Sequence, residues 1–209
     1  MLSRVRHAPR NPWRIVGITA ALAIAALMVA IALATFGTAP GAPRWANAYP
    51  ERAPAPALAL VDHHGDPFDL ADLRGEPTLV YFGYTHCPDV CPTTIGTINR
   101  IIAAAPGPLH AVFVTVDPER DTVASMASYV RYLSSEYIGL TGTPSQIRTA
   151  ADGYGVTYSR VDTTSVGGYA MAHTAELYLI DARGRLRSHY PFATEAAQIV
   201  RDLEALATE

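Results

Sequence analysis

Thr78-Leu79-Val80-Tyr81-Phe82-Gly83-Tyr84-Thr85-His86-Cys87-Pro88-Asp89-Val90-Cys91-Pro92 decides how this chain is read. Residues 78–83 are a short apolar run rich in β-formers, which predicts a buried strand. Residues 94–105 then predict a helix. Pro92 suits the first helical position, because the N–H it lacks would have no partner there. Cys91 is therefore expected at the helix cap, and Cys87 on the loop before it. The helix N-terminus carries a partial positive charge. That charge favours thiolate, and such settings take a Cys pKa from about 8.5 to roughly 3.5–7.5.

Outward from this passage, residues 109–116 (LHAVFVTV) predict a second buried strand. Residues 122–133 predict a helix, and residues 144–153 a short helix opening at Pro144. Residues 175–181 (AELYLID) and 186–190 predict two strands joined at Ala182-Arg183-Gly184, a hairpin. Residues 194–207 predict a closing helix capped by Thr194. The order strand-helix-strand-helix, then hairpin, then helix matches an α/β, thioredoxin-like three-layer domain.

The N-terminal quarter is different. Arg4, Arg6, Arg10 and Arg14 precede residues 15–36, a stretch of 22 residues without a charge. At about 1.5 Å per residue it reaches roughly 33 Å, enough for a hydrocarbon core of ~30 Å. A cleaved signal peptide is the alternative, but its apolar region is about 7–15 residues. The small-x-small triplet Ala46-Asn47-Ala48 also lies too far beyond the stretch. The arginine bias predicts a basic cytoplasmic N-terminus (1–14), a transmembrane anchor (15–36), and everything later outside the cytoplasm of a bacterial inner membrane. Residues 37–56, with five prolines, read as a semi-stiff linker. Residues 57–209 are the globular domain. They hold ten Arg against 18 acids, so no basic face for nucleic acid is expected.

The chain has two cysteines, Cys87 and Cys91. A purely stabilising disulfide over so short a loop contributes about 2 kcal/mol, half of what a 100-residue loop gives. A thiol pair at a strand-to-helix turn is better placed for chemistry. His173 precedes a strand expected to run antiparallel to 78–83, which brings its imidazole beside the cysteines. Two thiolates and one imidazole leave a coordination position open. A closed structural zinc site normally has four protein ligands, although a catalytic zinc with two Cys, one His and water remains an alternative. Soft sulfur suits Cu(I), and the mixed set also holds Cu(II).

FGYTHCPDVCP (82–92), VDPERDT (116–122), GLTGT (139–143), YGVTYS (154–159) and HTAELYLID (173–181) together resemble the Sco/SenC family. That resemblance implies a thioredoxin-like fold and copper held by Cys87, Cys91 and His173. It also implies a role in maturing the binuclear copper A centre of cytochrome c oxidase, with an oxidase subunit as recipient and a thiol reductant as partner. It makes Asp117 an outer-sphere or structural residue. Family members usually carry an acid immediately before the ligand His; here Ala172 stands there. Such a carboxylate helps to orient an imidazole. Met171 reads as packing, His63 and His64 as surface residues on opposite sides of an extended chain, and His86 as either a thiol-tuning or a structural neighbour. The competing functions are a thiol–disulfide oxidoreductase using Cys87 and Cys91 as a redox-active pair, a peroxidase, and a copper or redox sensor. The Cys spacing and the His argue against the peroxidase.

Overall fold

The computed structural model describes residues 24–28, 49, 53–163 and 168–209. Residues 24–28 are helical, with Ile24, Leu27 and Met28 exposed. No helix among the described residues is long and apolar enough to cross a membrane. Apart from 24–28, the expected anchor lies outside the described residues.

Residues 43–209 form one compact unit. Its strands are β1 (Leu60–Asp62), β2 (Pro67–Phe68), β3 (Thr78–Gly83), β4 (His110–Thr115), β5 (Tyr137–Thr141), β6 (Tyr158–Asp162), β7 (Tyr169–His173), β8 (Leu177–Ile180) and β9 (Leu186–Tyr190). Its helices are α1 (Val90–Ala104), α2 (Val123–Arg131), α3 (Pro144–Gly153) and α4 (Ala196–Leu206). Among the described residues, seven strands form one mixed sheet in the order β2-β1-β5-β4-β3-β8-β9. β3, β4 and β5 are parallel, and β8 runs antiparallel to β3 with Thr78 opposite Ile180 and Tyr81 opposite Leu177. Every residue of β3 is buried, as a strand covered on both faces requires.

The helices follow from their apolar faces. In α1, Cys91, Thr94, Ile95, Ile98 and Ile101 recur at helical spacing and are buried. α2 packs on β5 at Gly139, where a Cβ would lie 2.7 Å from Val130 Cγ2. α3 opens with Thr143 and Gln146 in a reciprocal capping box and Pro144 behind the cap, at the predicted start.

Several boundaries differ from expectation. α1 begins at Val90 with Asp89 as its cap residue, so Cys91 and Pro92 occupy the second and third helical positions. Proline is tolerated throughout the first turn, where N–H groups have no acceptor within the helix. α4 is capped by Glu195 rather than Thr194, whose hydroxyl donates to the Pro191 carbonyl at 2.7 Å. The strand expected over 175–181 is confined to Leu177–Ile180. β6 and β7 form a separate antiparallel ribbon, with Tyr158 opposite His173, that was not expected.

Candidate metal centre

β3 ends at Gly83, and the chain then turns through Tyr84–Asp89 into α1. Asp121 fixes this turn. Its carboxylate is buried and accepts from Thr85 N–H at 2.9 Å, Thr85 Oγ1 at 2.6 Å and Thr115 Oγ1 at 2.7 Å. Hydrogen bonds to a charged group contribute about 1.5–3 kcal/mol each. His86 is half exposed and hydrogen-bonds through Nδ1 to Thr85 Oγ1 at 2.9 Å, so its ring belongs to this structural cluster.

The two sulfurs are inequivalent. Cys91 is fully buried, whereas Cys87 is partly exposed, and both are free thiols. Cys91 N–H donates to Cys87 Sγ at 3.3 Å, which places Cys87 against the open helix end. Cys91 Sγ packs over Gly83, where a Cβ would come within 3.0 Å of the sulfur. It accepts a hydrogen bond from the buried Tyr81 hydroxyl at 3.4 Å. Burial nonetheless dominates, and the Cys91 thiol is pushed up to about 12. This reverses the expectation for Cys91: desolvation outweighs the helix end and the Tyr81 donor.

His173 is the last residue of β7. Its Nδ1–H donates to the Thr174 carbonyl at 3.1 Å, which leaves Nε2 as the lone-pair nitrogen. Nε2 lies 3.7 Å from Cys91 Sγ. The ring sits edge-on to Tyr84 and Tyr81, with centroids 5.9 and 6.2 Å away. Burial holds its pKa below the usual histidine value, so the imidazole is neutral near pH 7. The Thr174 carbonyl thus orients the imidazole. Ala172 is exposed and alternates to the opposite side of β7 from His173.

Among the described residues, Cys87, Cys91 and His173 are the one cluster of three such groups whose ligand atoms all lie within 4.8 Å of one another. Separations of that size close on a single ion, at ligand bonds of roughly 2.0–2.3 Å, with small side-chain rotations. Two sulfurs and one imidazole are the donor set of a soft-metal site. The other candidates stay outside it. Met171 is partly buried against the core, as a packing residue would be. His63 and His64 do not diverge: their ring centroids are 4.0 Å apart, because His64 N–H bonds to Asp62 Oδ1 and bends the chain into a turn. His63 Nδ1 accepts from Gly139 N–H at 3.3 Å.

Asp117 is buried, pairs with Arg120, and accepts from the Tyr169 hydroxyl at 2.9 Å. Sequence reasoning missed Tyr81, Tyr84, Asp121, Arg120 and Tyr169. Asp121 and Arg120 lie inside the VDPERDT segment, but nothing in its spacing shows which side chain faces the cysteine turn.

The SCO1/SenC family model matches residues 49–208. The mitochondrial SCO2 homologue of Bos taurus is 40% identical over 147 residues, which is 68% of this chain and 55% of that protein. A SCO2-like protein of Rickettsia prowazekii is 36% identical over 68% of this chain and 71% of its own length. The chain therefore spans little more than half the length of the bovine relative. Among solved structures, copper-bound ScoI of Bradyrhizobium japonicum superposes with a TM-score of 0.64 at 37% identity, covering 73% of this chain and 98% of that one. Copper-bound ScoI of Arabidopsis thaliana gives 0.67 at 28% identity over 75% of this chain and all of that one. These likenesses establish the mixed α/β, thioredoxin-like fold of the domain.

Proposed function

The chain belongs to the SCO1/SenC family, and from that premise we propose that it is a copper metallochaperone for the binuclear copper A centre of cytochrome c oxidase. Cys87, Cys91 and His173 hold the cargo ion, and a copper-receiving oxidase subunit takes it. The observation that carries this reading is the convergence of two sulfurs and one imidazole nitrogen within 4.8 Å. It agrees with the copper bound by the Bradyrhizobium and Arabidopsis relatives. Three donors leave a position through which a recipient's ligand can enter. Capture displaces the Cys91 proton, because metal ligation needs the thiolate.

Residues 15–36 anchor the chain as a single transmembrane helix, with residues 1–14 in the cytoplasm. The linker read over residues 37–56 spaces the domain, 57–209, from the outer face of a bacterial inner membrane with its first part, while its last residues belong to the folded unit, where Ala55 N–H donates to the Gly184 carbonyl at 2.9 Å. The 22-residue uncharged stretch behind a run of arginines supports this placement. A thiol reductant must keep Cys87 and Cys91 reduced there.

Titrating the reduced full chain with Cu(I) against a competing chelator tests the site. One ion is bound tightly by the wild type, and His173→Ala weakens it by orders of magnitude; unchanged affinity in that variant removes the imidazole from the site.

Thiol–disulfide exchange on the oxidase subunit is the second reading, and one observation favours it. Cys87 is partly exposed beside a buried Cys91 that stays a thiol, an arrangement with one attacking sulfur and one resolving sulfur. If exchange is the task, oxidase assembly survives His173→Ala and fails when either cysteine becomes serine.

A further inference from the structure

The imidazole of this site rides on β7, which among the described residues pairs with β6 alone and has no partner in the main sheet. A two-stranded ribbon is marginal by itself in water, so something else must fix its direction. Among the described residues, the end of the ribbon that carries His173 is held by Tyr158 and Met171 on the core and by Arg148 Cζ, 3.7 Å from the Tyr158 ring, and the other end is held at Tyr169. The Tyr169 ring lies between two guanidinium groups, Arg120 Cζ at 3.7 Å and Arg160 Cζ at 3.9 Å from its centroid. Its hydroxyl donates to Asp117 Oδ1 at 2.9 Å, and its carbonyl accepts from Arg120 Nη1 at 3.1 Å. Asp117 in turn pairs with Arg120 Nε. Arg120 also stands 5.8 Å over the Tyr84 ring, and Tyr84 is the ring set edge-on to His173 at 5.9 Å.

Two routes therefore join Arg120 to His173. One follows the strand, since Tyr169 and His173 share a side of β7 by the two-residue alternation. The other passes through the Tyr84 ring. Arg160 comes from β6 and Arg120 from the loop before α2, so the Tyr169 ring ties the ribbon to the body of the domain. Tyr169 touches neither a sulfur nor the imidazole; whatever it does for the metal it does through placement.

We infer that Tyr169, clamped by Arg120 and Asp117, is a positioning residue that holds the β6–β7 ribbon so that His173 Nε2 stays within reach of the cysteine sulfurs. This rests on the copper reading of Cys87, Cys91 and His173. With the clamp in place, the imidazole is presented to the ion already oriented. Without it, the ribbon samples directions in which Nε2 is out of reach, and the site keeps only its two sulfurs for part of the time.

The experiment is a double-mutant cycle on the reduced full chain, with Cu(I) affinity measured by chelator competition in wild type, Tyr169→Ala, His173→Ala and the double variant. Loss of a group bonded directly to a metal ligand costs about 10–100-fold in affinity, and Tyr169, one step further out, is expected to lie at the lower end, about tenfold for Tyr169→Ala. In the His173→Ala background the same change leaves the residual affinity within about twofold, because a residue acting only through the imidazole has nothing left to position. Tyr169→Phe keeps the ring between the guanidiniums and loses less than Tyr169→Ala. Arg120→Lys keeps the charge but not the planar stack, loses affinity in the wild-type background only, and serves if Tyr169→Ala does not fold. In the Cu(II) form, the imidazole nitrogen coupling seen by electron paramagnetic resonance weakens in both clamp variants.

Three results overturn the inference. If Tyr169→Ala binds like wild type while His173→Ala is weak, the clamp fails and the site stands. If Tyr169→Ala costs the same in both backgrounds, its effect is general and does not run through His173. If His173→Ala binds like wild type, the copper reading itself falls and takes the clamp with it.

Discussion

The two ends of β3 are built on opposite principles. At the Gly83 end, the functional groups keep unused lone pairs: two free cysteine sulfurs and an imidazole held neutral by burial, flanked by the Tyr81 and Tyr84 rings. At the Thr78 end, the side chains are charged and saturated. Asp181 accepts from Arg183 N–H at 2.9 Å, Arg185 N–H at 3.0 Å, Arg185 Nε at 2.9 Å and Arg187 Nη1 at 3.1 Å. Arg187 also grips Glu209 through both terminal nitrogens at 2.9 and 2.7 Å. Fully satisfied polar groups specify a structure; groups left with spare ligand capacity do chemistry. Spare ligand capacity thus sits at the Gly83 end, on a turn that the saturated Asp121 fixes, while the network at the Thr78 end carries structure alone, and perturbing that far network should leave the site largely untouched.

Four measurements can break or sharpen that contrast. The largest effect is expected at the mouth, where His173→Ala lowers Cu(I) affinity by more than the about 100-fold typical of an outer-sphere loss. Its thermal midpoint should fall only modestly, because the half-buried ring gives up one backbone hydrogen bond and two edge-on aromatic contacts while the core and the charged networks stay intact. A large drop in both would mean that the poles are not separate. Next comes the foot. Arg187→Ala removes one of several donors to Asp181, which keeps Arg183 N–H and Arg185, and leaves Glu209 without its bidentate partner; it should cost about 1.5–3 kcal/mol in denaturant unfolding, the scale of a hydrogen bond to a charged group. Copper affinity should not change; coupled losses would sink the division of labour.

The third test is pH. The Cys91 thiol is raised to about 12 by burial, so ligation releases its proton throughout the neutral range. His173 is depressed below the ordinary histidine value and is already neutral there. Cu(I) affinity should therefore rise by at least about tenfold per pH unit between roughly 7 and 9, the slope of one released proton. A flat profile would show that Cys91 is not a ligand. The smallest effect is expected from Tyr81→Phe, which removes the donor to Cys91 Sγ and should shift affinity by the equivalent of about 0.5–1.5 kcal/mol, a single hydrogen bond.

How much of this was legible in the sequence depended on where the decisive contact lies. β3, α1 and β4 announced themselves because continuous apolar runs and a helical stripe are local signals. The grouping of Cys91 with His173, 82 residues apart, followed from strand direction and motif together. The β6–β7 ribbon did not show itself. Tyr158–Asp162 is mostly exposed, so no alternation of buried and open residues marks it as a strand. β1 and β2 were missed because strands of three and two residues are too short to carry a period. Thr194 looked like a cap, but Ala193 adopts a left-handed φ of 65° and the Thr194 hydroxyl is spent on Pro191. The direction of the Cys91 shift was misread because a helix end is visible in sequence and complete burial is not.

Cys91 is sealed from water while Cys87 is not, and that asymmetry gives the centre a direction of traffic. A reagent arriving from solvent, whether an alkylating probe, a small thiol or a donor protein, meets Cys87 before its buried neighbour. Modification in the folded state should stop at a single adduct, and only unfolding should expose the second sulfur. On the proposed copper reading, hand-over of an ion has a built-in sequence, with the outermost bond the first to be exchanged and the innermost the last to let go.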